Sequence, residues 1–445
     1  MLDTLATARR PSNGLALSVE TLPAKRIHAN RVFTATPIFA LALGTLLPLN
    51  TLTNVGDELS WIGRLSIAFT MSLPSLLLFG QLGARKGKSR SWLGFIACFS
   101  VLFLLYLPRG GDGDRDWVPL LQIALVAVFF GGCASCAWPY RSLKVLGWIA
   151  QFWLCVSLLT WIWYKYPIPF TAWYENSNAN GAILAYVSGL AVFALPMGNT
   201  VNKKFTATGW LCAVTVLIAT AMSRAAIMAV LLGTAIYIAW PAIVRTRTRH
   251  IATLVLLLGS VGGFFAMQTI LASDMYDRGY NDLSHELTGK NLGTRTKVWK
   301  AAGELILERP LFGHGAETQI SNMLGMDISS HSLYLQVILQ VGFVGLATLL
   351  ALFFVIWNTF WQGRRDPIVR LTGAFFCGML LHQAFAVSLT QNNLALGVIA
   401  WLVLAIGVSR SLAIKDHSAK STRRRPSRSR SSNLHPLLVR QHSVA

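Results

Sequence analysis

The chain has 445 residues, of which 53% are hydrophobic and only 13% charged. Soluble domains carry about a quarter charged residues, so a soluble multidomain protein is excluded. The formal net charge of +21 comes from lysines and arginines in short segments between apolar runs and in both tails, the positive-inside pattern of a membrane protein rather than a nucleic-acid patch.

In chain order, residues 1–31 form a basic N-terminal tail with no evident cleavage site, so a retained cytoplasmic tail is expected. Apolar runs then predict an all-α polytopic membrane protein of about twelve transmembrane helices. Residues 32–271 hold the first nine, near 32–50, 65–84, 92–108, 118–138, 145–165, 180–199, 206–222, 225–244 and 251–271. Residues 331–414 hold the last three, near 332–357, 371–390 and 394–413. With twelve spans every basic connection falls on one side: Arg85 to Arg90, Arg141 to Lys144, Lys203-Lys204, Arg245 to Arg249, Arg364 to Arg370 and both tails. The alternate connections carry Asp57-Glu58, Asp112, Asp114, Asp116 and Glu175. The near-continuous apolar stretch from Thr208 to Val244 is read as two short spans meeting at Ser223-Arg224, because one span would put Lys203-Lys204 and Arg245 on opposite sides.

Residues 272–330 form the one long connection, expected on the periplasmic side between helices nine and ten. Within it Val298, Ala301, Ala302, Leu305 and Ile306 have helical spacing, so an amphipathic helix is expected over Thr294 to Glu308, ended by Pro310 and Phe312-Gly313-His314-Gly315. A loop of this length with its own helix points to function. Residues 415–445 read as a basic, disordered cytoplasmic tail attracted to anionic membrane lipid. All six cysteines fall in apolar runs, and Cys133-Ala-Ser-Cys136 lacks a second ligand pair, so neither disulfides nor a metal site is expected.

Candidate chemistry concentrates on the loop side. An arginine at the depth of Arg224 is costly and offers a permanently charged fork to phosphate, the bland alternative being a snorkelling helix anchor. Arg295 opens the loop helix, where a cation opposes the helix dipole and an anionic ligand would relieve the conflict. His331, at the start of span ten, lies where the dipole disfavours imidazolium, leaving a neutral ring able to act as a base, or a capping histidine. Asn176 to Gly181 either caps a helix or supplies neutral donors to a sugar, with Trp173 and Tyr174 available for stacking. His314 fits a turn and His382 a hydrogen bond within the bundle. No HExxH, aspartate cluster or P-loop is present, so no cofactor is expected and arginines would have to balance a diphosphate.

Taken in order, Asn178 to Gly181, Ser223-Arg224-Ala-Ala, Arg295-x-x-x-Trp299, Pro310-Leu-Phe-Gly-His-Gly315 and Ser330-His331-Ser332-Leu-Tyr334-Leu-Gln336 running into Gly342-x-x-Gly345 resemble the O-antigen ligases. That superfamily includes polysaccharide polymerases and O-linked oligosaccharyltransferases. The resemblance implies a GT-C-like fold and a metal-independent, inverting transfer of glycan from undecaprenyl diphosphate to lipid A–core oligosaccharide, in lipopolysaccharide synthesis at the bacterial inner membrane with the site facing the periplasm. It implies Arg224, Arg295 and His331 as catalytic residues and Asn178, Asn180, Trp299, His314 and Tyr334 as substrate-binding residues. The family pattern often has Asn after the histidine, where this chain has Ser332. Polymerisation on the lipid carrier and transfer to a protein hydroxyl remain alternatives. A twelve-helix transporter or flippase is the alternative from another class, but no internal repeat supports it.

Overall fold

The computed structural model describes residues 34–55, 57–82, 90–107, 117–174, 176–195, 201–245, 293–316, 318, 320, 330–390 and 394–423. Their regular structure is helical: α1 (Pro37–Asn50), α2 (Asp57–Leu82), α3 (Arg90–Leu105), α4 (Trp117–Ser135), α5 (Tyr140–Trp163) and α6 (Ser177–Ala191). Then follow α7 (Val201–Thr220), α8 (Arg224–Arg245), α9 (Gly293–Glu308), α10 (Leu333–Gln362), α11 (Pro367–Gln383) and α12 (Leu394–Arg423). Helix α9 is the expected loop helix; the other eleven coincide with eleven of the twelve expected spans, and the ninth, 251–271, lies outside the described residues. By length and composition six are able to cross a membrane: Trp117–Ser135, Tyr140–Trp163, Ser177–Ala194, Arg224–Val244, Leu333–Gln362 and Leu394–Lys415. Helix α12 runs on through Arg423, past Lys415 where the tail was expected to begin. Extending an anchored helix adds residues to an existing nucleus, which is far easier than starting a new one.

Burial separates centre from rim. In α12 the apolar stretch is 89% buried, against 11% in α8, so α12 is the central post and α8 presents most of its apolar surface outward. Phe130 of α4 meets Phe95 of α3 and Trp401 of α12 edge-on at 5.3 and 5.6 Å, which locks three helices by ring packing. Small residues let neighbours close in, as at Gly378 of α11, which lies against the Ala229 carbonyl of α8.

One end of the bundle is basic and tightly tied. Asp366 caps α11, accepting from the amides of Ile368 (2.9 Å) and Val369 (3.3 Å), and pairs with Arg410 of α12 at 2.8 Å. Arg370 donates to the Tyr237 carbonyl of α8 at 2.6 and 2.9 Å and lies over the Tyr237 ring.

The opposite end contains a broken helix. Gly342 in α10 has φ 70° and ψ −171°, a conformation that interrupts the helical ladder. Phe343 and Val344 would ordinarily donate to Leu339 and Gln340. Instead Phe343 N donates to Pro310 O (2.8 Å) and Val344 N to Leu311 O (3.2 Å), while Leu339 O and Gln340 O accept from the amides of His314 and Gly315, each at 2.9 Å. The Pro310–Gly315 turn is thereby spliced into the break. A side chain at residue 342 would strike the backbone of Leu311 and Phe312.

Gly342→Ala should therefore lower the thermal stability of the purified protein, the backbone conformation alone costing about 1–3 kcal/mol. Gly209→Ala in α7, where an added methyl meets nothing within 4 Å, should leave the melting point unchanged or slightly raised. Equal melting of the two variants would contradict the splice.

Candidate functional site

Two knots of hydrogen bonds hold the motif residues at the end opposite the basic one. The first centres on Phe170. Its amide donates to Thr220 O at the end of α7 (2.8 Å), and its carbonyl accepts from Asn180 Nδ2 in the first turn of α6 (2.9 Å). Gly181 packs against the Ser223 side chain, so the start of α6 and the start of α8 abut. Between α7 and α8 the chain turns at Ala221–Ser223, with Met222 in the left-handed region (φ 54°). Two helices therefore meet at Ser223-Arg224, as the charge pattern required. Arg224, half-buried, is the first residue of α8, and Ser223 O accepts from Ile227 N at 3.0 Å.

Asn176 caps α6, its Oδ1 accepting from Asn178 N at 2.8 Å. Asn178 is exposed, whereas Asn180 is fully buried with its amide spent on Phe170. Tyr174 is buried and shares a hydrogen bond with Thr51 at 2.9 Å; burial pushes its phenol up to about 12, so it serves as a neutral tie. Trp173 is half-buried beside it, its ring 5.6 Å from the Tyr174 ring.

The second knot surrounds His331. The Trp299 indole of α9 donates to Ser330 O at 3.0 Å, and Ser330 Oγ donates to Ser332 O at 3.3 Å. Ser332 caps α10, its Oγ accepting from Leu335 N at 3.4 Å. His331, half-buried between two pinned serines, adopts φ 51°. The helix thus begins at Leu333, one residue after the expected bound near 332, with Ser332 as its cap. Asn is as good a cap as Ser, so either residue at position 332 would start the helix here. A non-glycine residue held in this region costs free energy and is a recognised mark of functional sites. Residue 295 lies one turn before Trp299, on the same face of α9.

Further side chains brace this knot. Gln336 Nε2 donates to Thr318 O (3.0 Å) and Gln340 Nε2 to Ala316 O (2.7 Å), while the Tyr106 hydroxyl donates to Gln340 Oε1 (3.1 Å). His314 Nε2 lies 2.6 Å from Leu305 O, tying the turn back onto α9. The Tyr334 hydroxyl donates to Leu380 O of α11 at 2.8 Å. Thus Asn180 Nδ2, Trp299 Nε1, His314 Nε2 and the Tyr334 hydroxyl each bond to a backbone carbonyl, and of the five residues read as substrate-binding only Asn178 is exposed.

Helix α11 relates the two knots. Its residue Leu380 holds the start of α10, and Gly378 lies against Ala229, one turn and a half after Arg224. His382 and Gln383 bond to Tyr186 of α6, and Tyr186 and Gln383 to Ser388, in one buried polar cluster, the bundle role read for His382. The N-termini of α6, α8 and α10 therefore gather at one end, and α9 is fastened to the last of them. None of the four has an acidic residue in its first turn. Each N-terminus carries positive partial charge, so the group suits a polyanion.

Sequence reasoning missed Phe170, Gln340 and Tyr106, and quoted Gln336 within a motif without giving it a role. The two glutamines are polar residues four apart in an apolar run; nothing local marked the other two.

Trp299→Phe keeps the ring and removes the donor to Ser330. It should cost about 1 kcal/mol and raise amide hydrogen exchange at residues 330–336; unchanged exchange there would contradict this tie.

Residues 207–350 match the family model described as O-Antigen ligase. The matched segment contains Arg224, Arg295, Trp299, the Pro310–Gly315 turn, His331, Gly342 and Gly345; Asn178 to Gly181 precede it. No curated protein matches the chain. Its several long apolar helices mark the chain as a multi-pass membrane protein, and residues 207–350 are similar to the O-antigen ligase domain.

Proposed function

We propose that the protein is a glycosyltransferase that moves a glycan from undecaprenyl diphosphate onto lipid A–core oligosaccharide, at the periplasmic face of the bacterial inner membrane. The observation that carries this reading is the gathering of helix N-termini at one end of the bundle, two of them with an arginine in the first turn, Arg224 of α8 and Arg295 of α9, beside a conformationally pinned His331. A diphosphate is the leaving group such a field favours. An acceptor bearing neutral hydroxyls needs a nearby base and no charge of its own.

In the proposed reaction the acceptor hydroxyl gives its proton to a neutral ring nitrogen of His331 as its oxygen attacks the anomeric carbon. The bond from that carbon to the diphosphate oxygen breaks, and the electron pair leaves with undecaprenyl diphosphate. Arg224 and Arg295 hold the charge that develops on the leaving group, where preorganised donors act most strongly. Attack opposite the leaving group inverts the anomeric centre. The proton then passes from the imidazolium to solvent or to the departing diphosphate. The donor is already activated, so no nucleotide is consumed.

Purified protein given lipid-linked glycan and lipid A–core should form glycosylated lipid A–core, with EDTA making no difference. His331→Ala should lower the rate about 10²–10⁴-fold and Arg224→Ala about 10²–10³-fold. Arg224→Lys should fall between wild type and Ala, keeping charge but losing the fork. Near-normal transfer by either alanine variant, correctly inserted, would refute the assignment. Longer glycan on the lipid carrier, with none on lipid A–core, would make the same site a polymerase.

A further inference from the structure

The turn that closes the loop helix is unusually apolar on its outer side. Leu307 is 80%, Leu311 61% and Phe312 51% exposed, and none of them belongs to a membrane-crossing helix. Beside them Phe343, 46% exposed, is the residue at which α10 resumes after its break. From Phe343 the exposed face of α10 continues through Ala347, Ala351 and Phe354 at helical spacing. On a membrane-crossing helix such a face meets lipid.

We propose that the Leu307–Phe312 turn dips into the bilayer and rests its apolar side chains among acyl chains, as a continuation of the lipid-facing stripe of α10. Three observations carry this. Phe343 N and Val344 N donate to Pro310 O and Leu311 O, which fixes the turn at the head of that stripe. A hydrocarbon core of about 30 Å takes about twenty helical residues, and twenty counted back from Gln362, next to the basic end, reach Phe343. Backbone entering lipid must be internally bonded, and this turn is bonded in that way at five points: Pro310 O and Leu311 O accept from α10, the amides of His314 and Gly315 are given to α10, and Gly313 N donates to Arg309 O at 3.0 Å. Pro310 has no amide hydrogen to satisfy. The exposed pair Glu308-Arg309 lies within the turn, between Leu307 and Pro310, where long charged side chains reach back to water. The turn then sets the height of α9, and of the arginine at its start, relative to the leaflet. This inference needs only the membrane reading and stands apart from the reaction proposed above.

The test places a fluorescent amino acid, by suppression of an introduced stop codon, at residue 311 of the full-length protein in vesicles of phosphatidylethanolamine and phosphatidylglycerol. Residue 354 serves as the lipid-facing control and residue 300, exposed on α9, as the water-facing one. Each variant is first matched to wild type in melting temperature, which removes misfolding as an explanation. Lipids brominated along their acyl chains should quench the probe at 311 as strongly as at 354, and iodide should quench only 300. Quenching of 311 by iodide alone would overturn the proposal. Quenching by neither would also overturn it, showing that protein, from this chain or a second copy, covers the turn.

Discussion

Four backbone hydrogen bonds join Pro310, Leu311, His314 and Gly315 to the two sides of the break in α10. Without them the break would leave two amides and two carbonyls of a buried helix unpaired, at about 1–3 kcal/mol for each orphan. With them the turn becomes part of the span. Gly342 supplies the backbone angle and the space, and Gly313, with φ 68°, lets its own backbone lie against Gln340. Everything that follows in the site inherits this rigidity: α9 is fastened at its end by the splice and by His314, and near its start by Trp299. The loop helix is a fixed platform at both points. It presents residue 295 from a frame that also fixes the backbone around His331.

The electrostatics follow from the same frame. Stability alone would place acidic residues in the first turns of helices and keep arginines away from them. Here the starts of α8 and α9 each carry an arginine in the first turn, Arg224 and Arg295, and none of the four neighbouring starts has a carboxylate there. A cation set against the helix dipole twice in one place is expected at a functional site. The left-handed backbone at Met222 and His331 marks the same two places. A polyanionic group bound there would satisfy several helix ends together. The O-antigen ligase domain match covers both.

Much of this was legible in the sequence because it is local. The loop helix was expected from Thr294 to Glu308 and runs Gly293–Glu308. The break at Ser223-Arg224 followed from counting charges on either side of an apolar stretch. The roles of particular side chains were less legible. Asn180, Trp299, His314 and Tyr334 were singled out as residues for substrate, yet their polar atoms hold carbonyls of Phe170, Ser330, Leu305 and Leu380. Residue type and spacing show that a polar atom has a partner, and only the tertiary fold shows which one. Gly342 was visible as the first glycine of Gly342-x-x-Gly345, but the partner that makes the break tolerable lies some thirty residues earlier in the chain.

The account's central claim is that Arg224 and Arg295, held in separate knots, face one anionic group beside His331. The most direct measurement is a cryo-electron microscopy map of the protein in lipid nanodiscs, with an undecaprenyl-diphosphate-linked glycan bound to a His331→Ala variant. The account predicts diphosphate density between the starts of α8 and α9, contacted by both guanidinium groups, with the first sugar next to residue 331. Diphosphate density bound by one arginine alone, or at the basic end near Arg364 and Arg370, would contradict it.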